Sequence, residues 1–471
     1  MRKQKQAWSW YVAGMLLSIG YIAAAELIWV PDPFRWPGGL TWLETIDGLL
    51  YALALIPLIW LVGAWQAWRN ERIAVRERRR GARGVVRLLP RACAAAGSML
   101  AIVFVLLAPR NLTINIGLLA IAWLFIILDL FIIELGGAGR RYRFPFKSAI
   151  ALAIQLLLLA AFALPTSYNV TYPGLTMNMN HYAQTEGGKD HGQLRGVLVF
   201  ERRAFPADWL FARMLPIYEL NPVPPNEPPL REAYAEVVAM KTEAESVAAA
   251  IAMGKLGLGQ GAVAEGVTII AVSAEGAARG VLKAGDIVTG IDGTPVLGIE
   301  ALNKAMAAVK PGSTVQVTIN RIGQQLSVAA PTSSVENEQD STKKRAVFGI
   351  SVQTAYRYDI PRNVHFERPL AHIGGPSHGA MLTLTIIDQL TPSGVTHGWR
   401  VAGTGTIEPD GSVGPVGGVR QKAYAVNRTD AEVFFVPASE AGEAVLGAPH
   451  LNIVPVRTID DMLSWLKQHA K

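Results

Sequence analysis

The stretch Gly374-Gly375-Pro376-Ser377-His378-Gly379 sets one serine at a sharp bend ahead of an apolar, helix-like run: Ala380, Met381, Leu382, Leu384, Ile386 and Ile387. A serine in that place can be a plain helix N-cap, its hydroxyl accepting from an otherwise free N–H. It can also be a nucleophile, provided a base removes its proton as it attacks a carbonyl. A candidate base stands 45 residues on: Lys422, just after the glycine turn Gly417-Gly418-Val419. Lysine acts as a base only when neutral, and that requires burial to bring its pKa down from about 10.4. The neighbours suit this, since Ala423, Ala425 and Val426 are apolar and no carboxylate lies within six residues on either side. A helix N-terminus under the serine would add N–H groups and a positive dipole end for an oxyanion. Each residue taken alone has an ordinary reading, a cap and a solvated lysine. At the level of the residues themselves both readings stay open.

Other chemistries find less support. His365, His372, His378 and His397 fall within 33 residues, but none has H-E-x-x-H or comparable ligand spacing, so no metal is expected. A Ser–His–Asp arrangement with Asp388 is open on spacing, yet there is no G-x-S-x-G elbow. No G-x-x-x-x-G-K-[ST] phosphate loop occurs, so neither ATP nor another cofactor is expected. The one cysteine, Cys93, lies in an apolar stretch, which leaves the rest of the chain without disulfides or a thiol nucleophile.

The elements that must position this chemistry follow a membrane region. Five apolar stretches, near 8–30, 48–68, 92–108, 114–135 and 148–164, are each long enough to cross a bilayer core. The first is longer than a signal-peptide core and lacks a clear cleavage site, so it reads as a retained anchor. Residues 1–165 carry 18 Lys+Arg against 8 Asp+Glu. The positive charge sits ahead of the first stretch, in the nine arginines of 69–91, and in Arg140, Arg141, Arg143 and Lys147. By the positive-inside rule the N-terminus is cytoplasmic and everything after the fifth crossing is extracytoplasmic. Asp129 and Glu26 are costly in lipid and are expected to pack against neighbouring helices or reach the interface. The remaining residues, 26 basic against 29 acidic, show no basic stripe, which argues against nucleic acid.

Beyond the membrane region, 168–182 and 192–205 read as strands, 231–257 as a helix, and the polar 335–344 as a linker. Residues 262–330, with "GVLKAGDIVTGIDGTPV" at their centre, resemble a PDZ domain of the bacterial protease-associated kind. That resemblance implies a groove that adds an extended peptide to a sheet edge. The segments Gly375-Pro376-Ser377-His378-Gly379, Gly403-Thr404-Gly405 and Gly417-Gly418-Val419 with Lys422 resemble, in order, the motifs of the Lon-type serine–lysine peptidase domain. With the PDZ unit and the anchor, the chain resembles the membrane-bound Lon-like PDZ branch found in bacteria.

The resemblance implies Ser377 as nucleophile, Lys422 as base and Thr404 as the group orienting the lysine amine, with Gly375, Gly417 and Gly418 shaping the turns. His378 departs from the family, which has a small residue there, and is expected to line the substrate cleft. The expected architecture is multi-domain: five transmembrane helices over 1–165 and a discontinuous α/β peptidase domain, its first strands in 166–230. A helical connector covers 231–261, the inserted PDZ domain 262–330, a linker 331–344, and the rest of the peptidase domain 345–471. Its expected action is ATP-independent cleavage of secreted or membrane-proximal peptides and unfolded proteins, with oligomeric state left open. The alternative is a membrane-tethered PDZ adaptor with an inactive peptidase fold.

Overall fold

The computed structural model describes residues 2–34, 42, 48–76, 82–137, 144–225, 227–337, 340–367 and 375–471. Among them are five helices long and apolar enough to cross a membrane: Gln6–Glu26, Gly48–Arg76, Val86–Leu107, Leu112–Leu135 and Phe146–Ala163. Their outward faces carry large apolar side chains such as Leu107, Leu124 and Leu157, while small residues (Ala7, Ala64, Ala94, Ala122) pack inside. Charge is placed the opposite way to a soluble bundle. Arg91, Glu71, Asp129 and Tyr11 are all buried, with Arg91 bonded to Glu71 at 2.7 Å and to Asp129 at 2.9 Å. Tyr11 donates to Asp129 at 2.8 Å. In hydrocarbon a lone charge is expensive, and a mutually bonded set inside the bundle is the way to carry it. The third helix starts at Ala82, ahead of the apolar run at 92, and so carries Arg91 into the bundle.

A second unit is built on a six-stranded mixed sheet. Its strand order is Ile453–Val456, Val433–Pro437, Arg400–Gly403, Gln193–Arg203, Tyr168–Asn178, Glu219–Pro222. The first three pairings are parallel and the last two antiparallel. Strand residues alternate between two cores, as the two-residue period of a strand requires. Val433 and Phe435 face the helices Gly379–Leu390, Leu230–Lys255 and Ile459–Gln468, whereas Phe434 and Val436 face Val419–Asn427 and Ala441–Gly447. The central strand Arg400–Gly403 therefore has one helix layer on each side, and its C-terminal end is where the two layers can meet.

The third unit has a five-strand sheet path, Ile350–Asp359, Gly261–Val272, Ile287–Ile291, Thr314–Arg321 and Gln324–Pro331, with the helix Ile299–Ala307 packed on it. Two expectations are corrected here. The stretch 335–344 is not a bare linker, because Ser333–Asn337 and Asp340–Val347 pair as an antiparallel hairpin. Its charged, unalternating sequence hides this, since backbone bonds hold such a hairpin without a buried face. Residues 350–359, assigned to the catalytic segment, pair along Gly261–Val272 and extend this third unit's sheet. The helix Leu230–Lys255 joins the units, and its run of buried alanines (Ala248, Ala249, Ala250, Ala252) allows close approach to the Gly379–Leu390 helix.

Candidate active site

Ser377 lies in the 3-10 turn Pro376–His378 that leads directly into the helix Gly379–Leu390. The cap positions of the turn and the helix are Gly375 and His378, and neither end has a side-chain cap bond. The serine hydroxyl is thus not spent as a cap. The turn is fixed through its backbone instead. Gly405 N–H donates to the Ser377 carbonyl at 2.8 Å, Thr404 Oγ1 donates to it at 3.0 Å, and Ala380 N–H donates to the Gly405 carbonyl at 3.1 Å. This ties the serine turn to the residues just past the end of the central strand. Gly374 and His372 lie outside the described residues.

Lys422 comes from the other helix layer, on Val419–Asn427. Its helix begins at Gly418 in the left-handed conformation (φ 65°), where a Cβ would stand 2.6 Å from Val199 Cγ2, so glycine is needed twice over. Gly417 and Gly375 have open space around them. The Lys422 side chain is 1 % exposed, and Nζ donates to Thr404 Oγ1 at 3.2 Å. Because the Thr404 proton is committed to the Ser377 carbonyl, its oxygen can only accept from lysine. A neutral amine bonded this way keeps its lone pair uncommitted. Burial pushes the Lys422 amine down to about 8, opposed by the nearby Glu440 carboxylate. The structure therefore joins Ser377, Thr404 and Lys422 in one chain of hydrogen bonds that runs through the serine carbonyl. Lys422 Nζ is not directly hydrogen-bonded to Ser377 Oγ.

Glu440 is the site residue that sequence reasoning missed. It lies 18 residues from Lys422 and is returned to it by the strand Val433–Pro437, so a count of carboxylates along the chain could not find it. Its carboxylate accepts from Val416 N–H at 3.0 Å, which holds the glycine turn ahead of Lys422. Burial raises the Glu440 carboxyl, while Val416 N–H and Lys422 pull it back.

His378 is 3 % exposed rather than on an open surface, its ring edge-on to Tyr182 at 5.3 Å. Tyr182 donates to the buried Glu245 at 2.6 Å. Among the described residues neither His378 ring nitrogen meets a partner in good hydrogen-bond geometry. Burial, with Lys241 and Lys422 adding positive charge, pushes the imidazole down to about 3, against a small opposing pull from the Gly375 backbone. It is neutral across the physiological range. Among the described residues no group of three or more His, Cys, Asp or Glu converges as a metal site would.

Fold and site together define a multi-domain protein with a helical N-terminal region of five apolar helices and a PDZ domain, the latter matched by the PDZ domain family model over residues 252–332. The chain is also similar to Lon proteases. It is 30 % identical over 183 residues to Lon protease 1 of Myxococcus xanthus, covering 38 % of this chain and 21 % of that protein. It is 30 % identical over 125 residues to the Lon protease of Chloroflexus aggregans, covering 26 % and 15 %. The chain thus spans about a fifth or less of the length of these curated relatives. Among solved structures it resembles the PDZ domain of an SdrC-like protein from Listeria innocua at 22 % identity, covering 18 % of this chain and 92 % of that one, with a TM-score of 0.17.

Proposed function

We propose that the chain is a membrane-anchored, ATP-independent serine endopeptidase using Ser377 as nucleophile and Lys422 as base. One observation carries the reading: a fully buried lysine amine, lowered to about 8, hydrogen-bonded to Thr404, which itself holds the serine turn. Neutral Lys422 takes the Ser377 proton as Oγ attacks a peptide carbonyl, and the backbone N–H groups of Ser377 and His378 in the serine turn receive the oxyanion. The lysine ammonium then protonates the leaving amine, and water, deprotonated by the same lysine, hydrolyses the acyl-enzyme. The similarity to Lon proteases and the PDZ domain support peptides or unfolded proteins as substrates. The distribution of arginines between the helices supports an extracytoplasmic site.

The test is incubation of the full-length protein in lipid nanodiscs with unfolded casein, without ATP, beside Ser377→Ala and Lys422→Ala. The expected result is cleavage by the wild type alone, with each variant down by at least about a thousandfold. Cleavage that survives in both variants would remove the dyad. No cleavage by any of the three, with peptides retained on the PDZ domain, would favour a tethered adaptor. Thr404→Val, close in shape but without the hydroxyl, removes both the Lys422 and Ser377 bonds. It should lower kcat by about 10- to 100-fold, the range for losing hydrogen bonds to a group that carries charge in the reaction. A kcat within about twofold of wild type would show that Thr404 does not orient the amine.

A further inference from the structure

The first membrane helix does not end its work at the membrane surface. Past Glu26 the chain continues through successive turns at 27–33 and enters the Ser377 unit. Trp29 is 3 % exposed and belongs to the same apolar core as the Gly379–Leu390 helix. Its indole N–H donates to the Tyr218 hydroxyl at 2.9 Å, and its ring stands edge-on to Tyr424 at 6.1 Å. The Arg428 guanidinium lies 5.5 Å over the indole and also donates to the Val30 carbonyl. Asp32, itself buried, accepts from Thr176 N–H at 3.1 Å and Thr176 Oγ1 at 2.9 Å. Glu26 pairs with Arg202, which Asp208 holds at 2.8 and 3.0 Å.

Two of these grips fall on the lysine helix. Tyr424 is two residues past Lys422 and Arg428 is the helix C-cap. At about 100° per residue, Tyr424 and Lys422 point to nearly opposite sides of that helix. The side of the helix away from Thr404 is therefore packed against a tryptophan that the membrane anchor supplies.

We infer that Trp29 is a positioning residue for Lys422: the tip of the first membrane helix wedges the lysine helix in place from behind and so holds the lysine side chain in its buried position. This rests on the Ser–Lys reading above. Removing the indole leaves a cavity of aromatic size beside Tyr424, into which the helix can shift or water can enter. Among the described residues two titratable groups act on Lys422 from other elements: Glu440, on the turn after Val433–Pro437, and His378, on the serine turn. The Trp29 contacts named above involve neither, so a change on removing Trp29 reports packing and hydration of the lysine.

The test compares full-length wild type, Trp29→Ala and Trp29→Phe in nanodiscs, with Leu16→Ala, on the exposed face of the same helix, as a control. Cleavage of casein is followed against pH, and backbone hydrogen exchange is followed by mass spectrometry. Trp29→Ala should lower kcat/KM at pH 7 by roughly 10- to 100-fold, the scale of an ångström-sized misplacement. Its pH midpoint should move up from about 8 toward the free-lysine value near 10.4. Exchange should accelerate in 419–428 but not in the PDZ strands. Trp29→Phe, which keeps a ring but loses the bond to Tyr218, should show the same changes at about a third of the size, and it decides the matter if the alanine variant does not fold. An activity loss with an unmoved pH midpoint, or unchanged exchange in 419–428, overturns the inference. A wild type that cleaves nothing, with exchange still accelerated in Trp29→Ala, keeps the docking and rejects the peptidase reading.

Discussion

Replacing Lys422 with methionine should abolish measurable cleavage of an unfolded substrate and, in the same molecule, stabilise the Ser377 unit at pH 7. Both effects have one cause. Burial holds the amine at about 8 in the folded chain, whereas unfolded it titrates near 10.4. Below about pH 8 both states carry the proton, and the folded state bears the whole cost of a buried ammonium, about 3 kcal/mol at 1.36 kcal/mol per pH unit. Between about 8 and 10.4 the unfolded chain binds more protons than the folded one, so stability rises with pH, and above that window the cost is gone. Methionine has a similar length and no charge, so it removes the cost. It also deprives the Thr404 hydroxyl of its donor, an offset of about 1 kcal/mol. The net gain of about 2 kcal/mol at pH 7 corresponds to roughly 4–8 °C in the unfolding temperature of a unit this size. At pH 10.5 the gain should have vanished. Thermal unfolding of both proteins at the two pH values measures it. A variant no more stable than wild type at pH 7 would mean that Lys422 is hydrated in the native state, and the case for it as a neutral base would lose its physical footing.

The residues that could do chemistry were legible because local rules mark them. A proline–serine bend before an apolar helix and a glycine turn before a lysine can be read without any tertiary knowledge. So could the strands at 168–178 and 193–203, whose β-branched residues and glycine punctuation are local signals. What escaped reading depends on partners far away in sequence. Glu440 reaches Lys422 only because a strand returns the chain to it. The burial of His378 depends on Tyr182 and on Leu230–Lys255, two segments long before it. Trp29 reads as the interfacial end of a membrane helix until Tyr218 and Tyr424 close around it. The helix through Arg91 needed Glu71 and Asp129 from two other helices before its charge could be buried. In each case the missing information is a pairing that lowers the cost of burying something polar, and a pairing has no signature in either partner alone.

Glu440 supplies a smaller effect, and its direction is opposite to that of most active-site substitutions. Cleavage by the wild type should rise with pH to a midpoint of about 8, following the neutral fraction of Lys422. His378 adds no limb near neutrality, since its imidazole is neutral above about pH 4. At pH 7 only roughly one lysine in ten is then in the working form. The Glu440 carboxylate stabilises the ammonium, so it holds that fraction down. Glu440→Gln removes the charge but keeps an oxygen to accept from Val416 N–H, so the glycine turn stays held. A downward move of about half a unit in the lysine would raise the rate at pH 7 by roughly two- to threefold and leave the plateau above about pH 9 unchanged. Initial rates from pH 6 to 10 on full-length protein separate two roles for this residue. A gain confined to the acid side identifies Glu440 as the charge that tunes the base. An equal loss at every pH identifies it as a strut for the 416–418 turn, because a displaced lysine helix lowers the plateau itself.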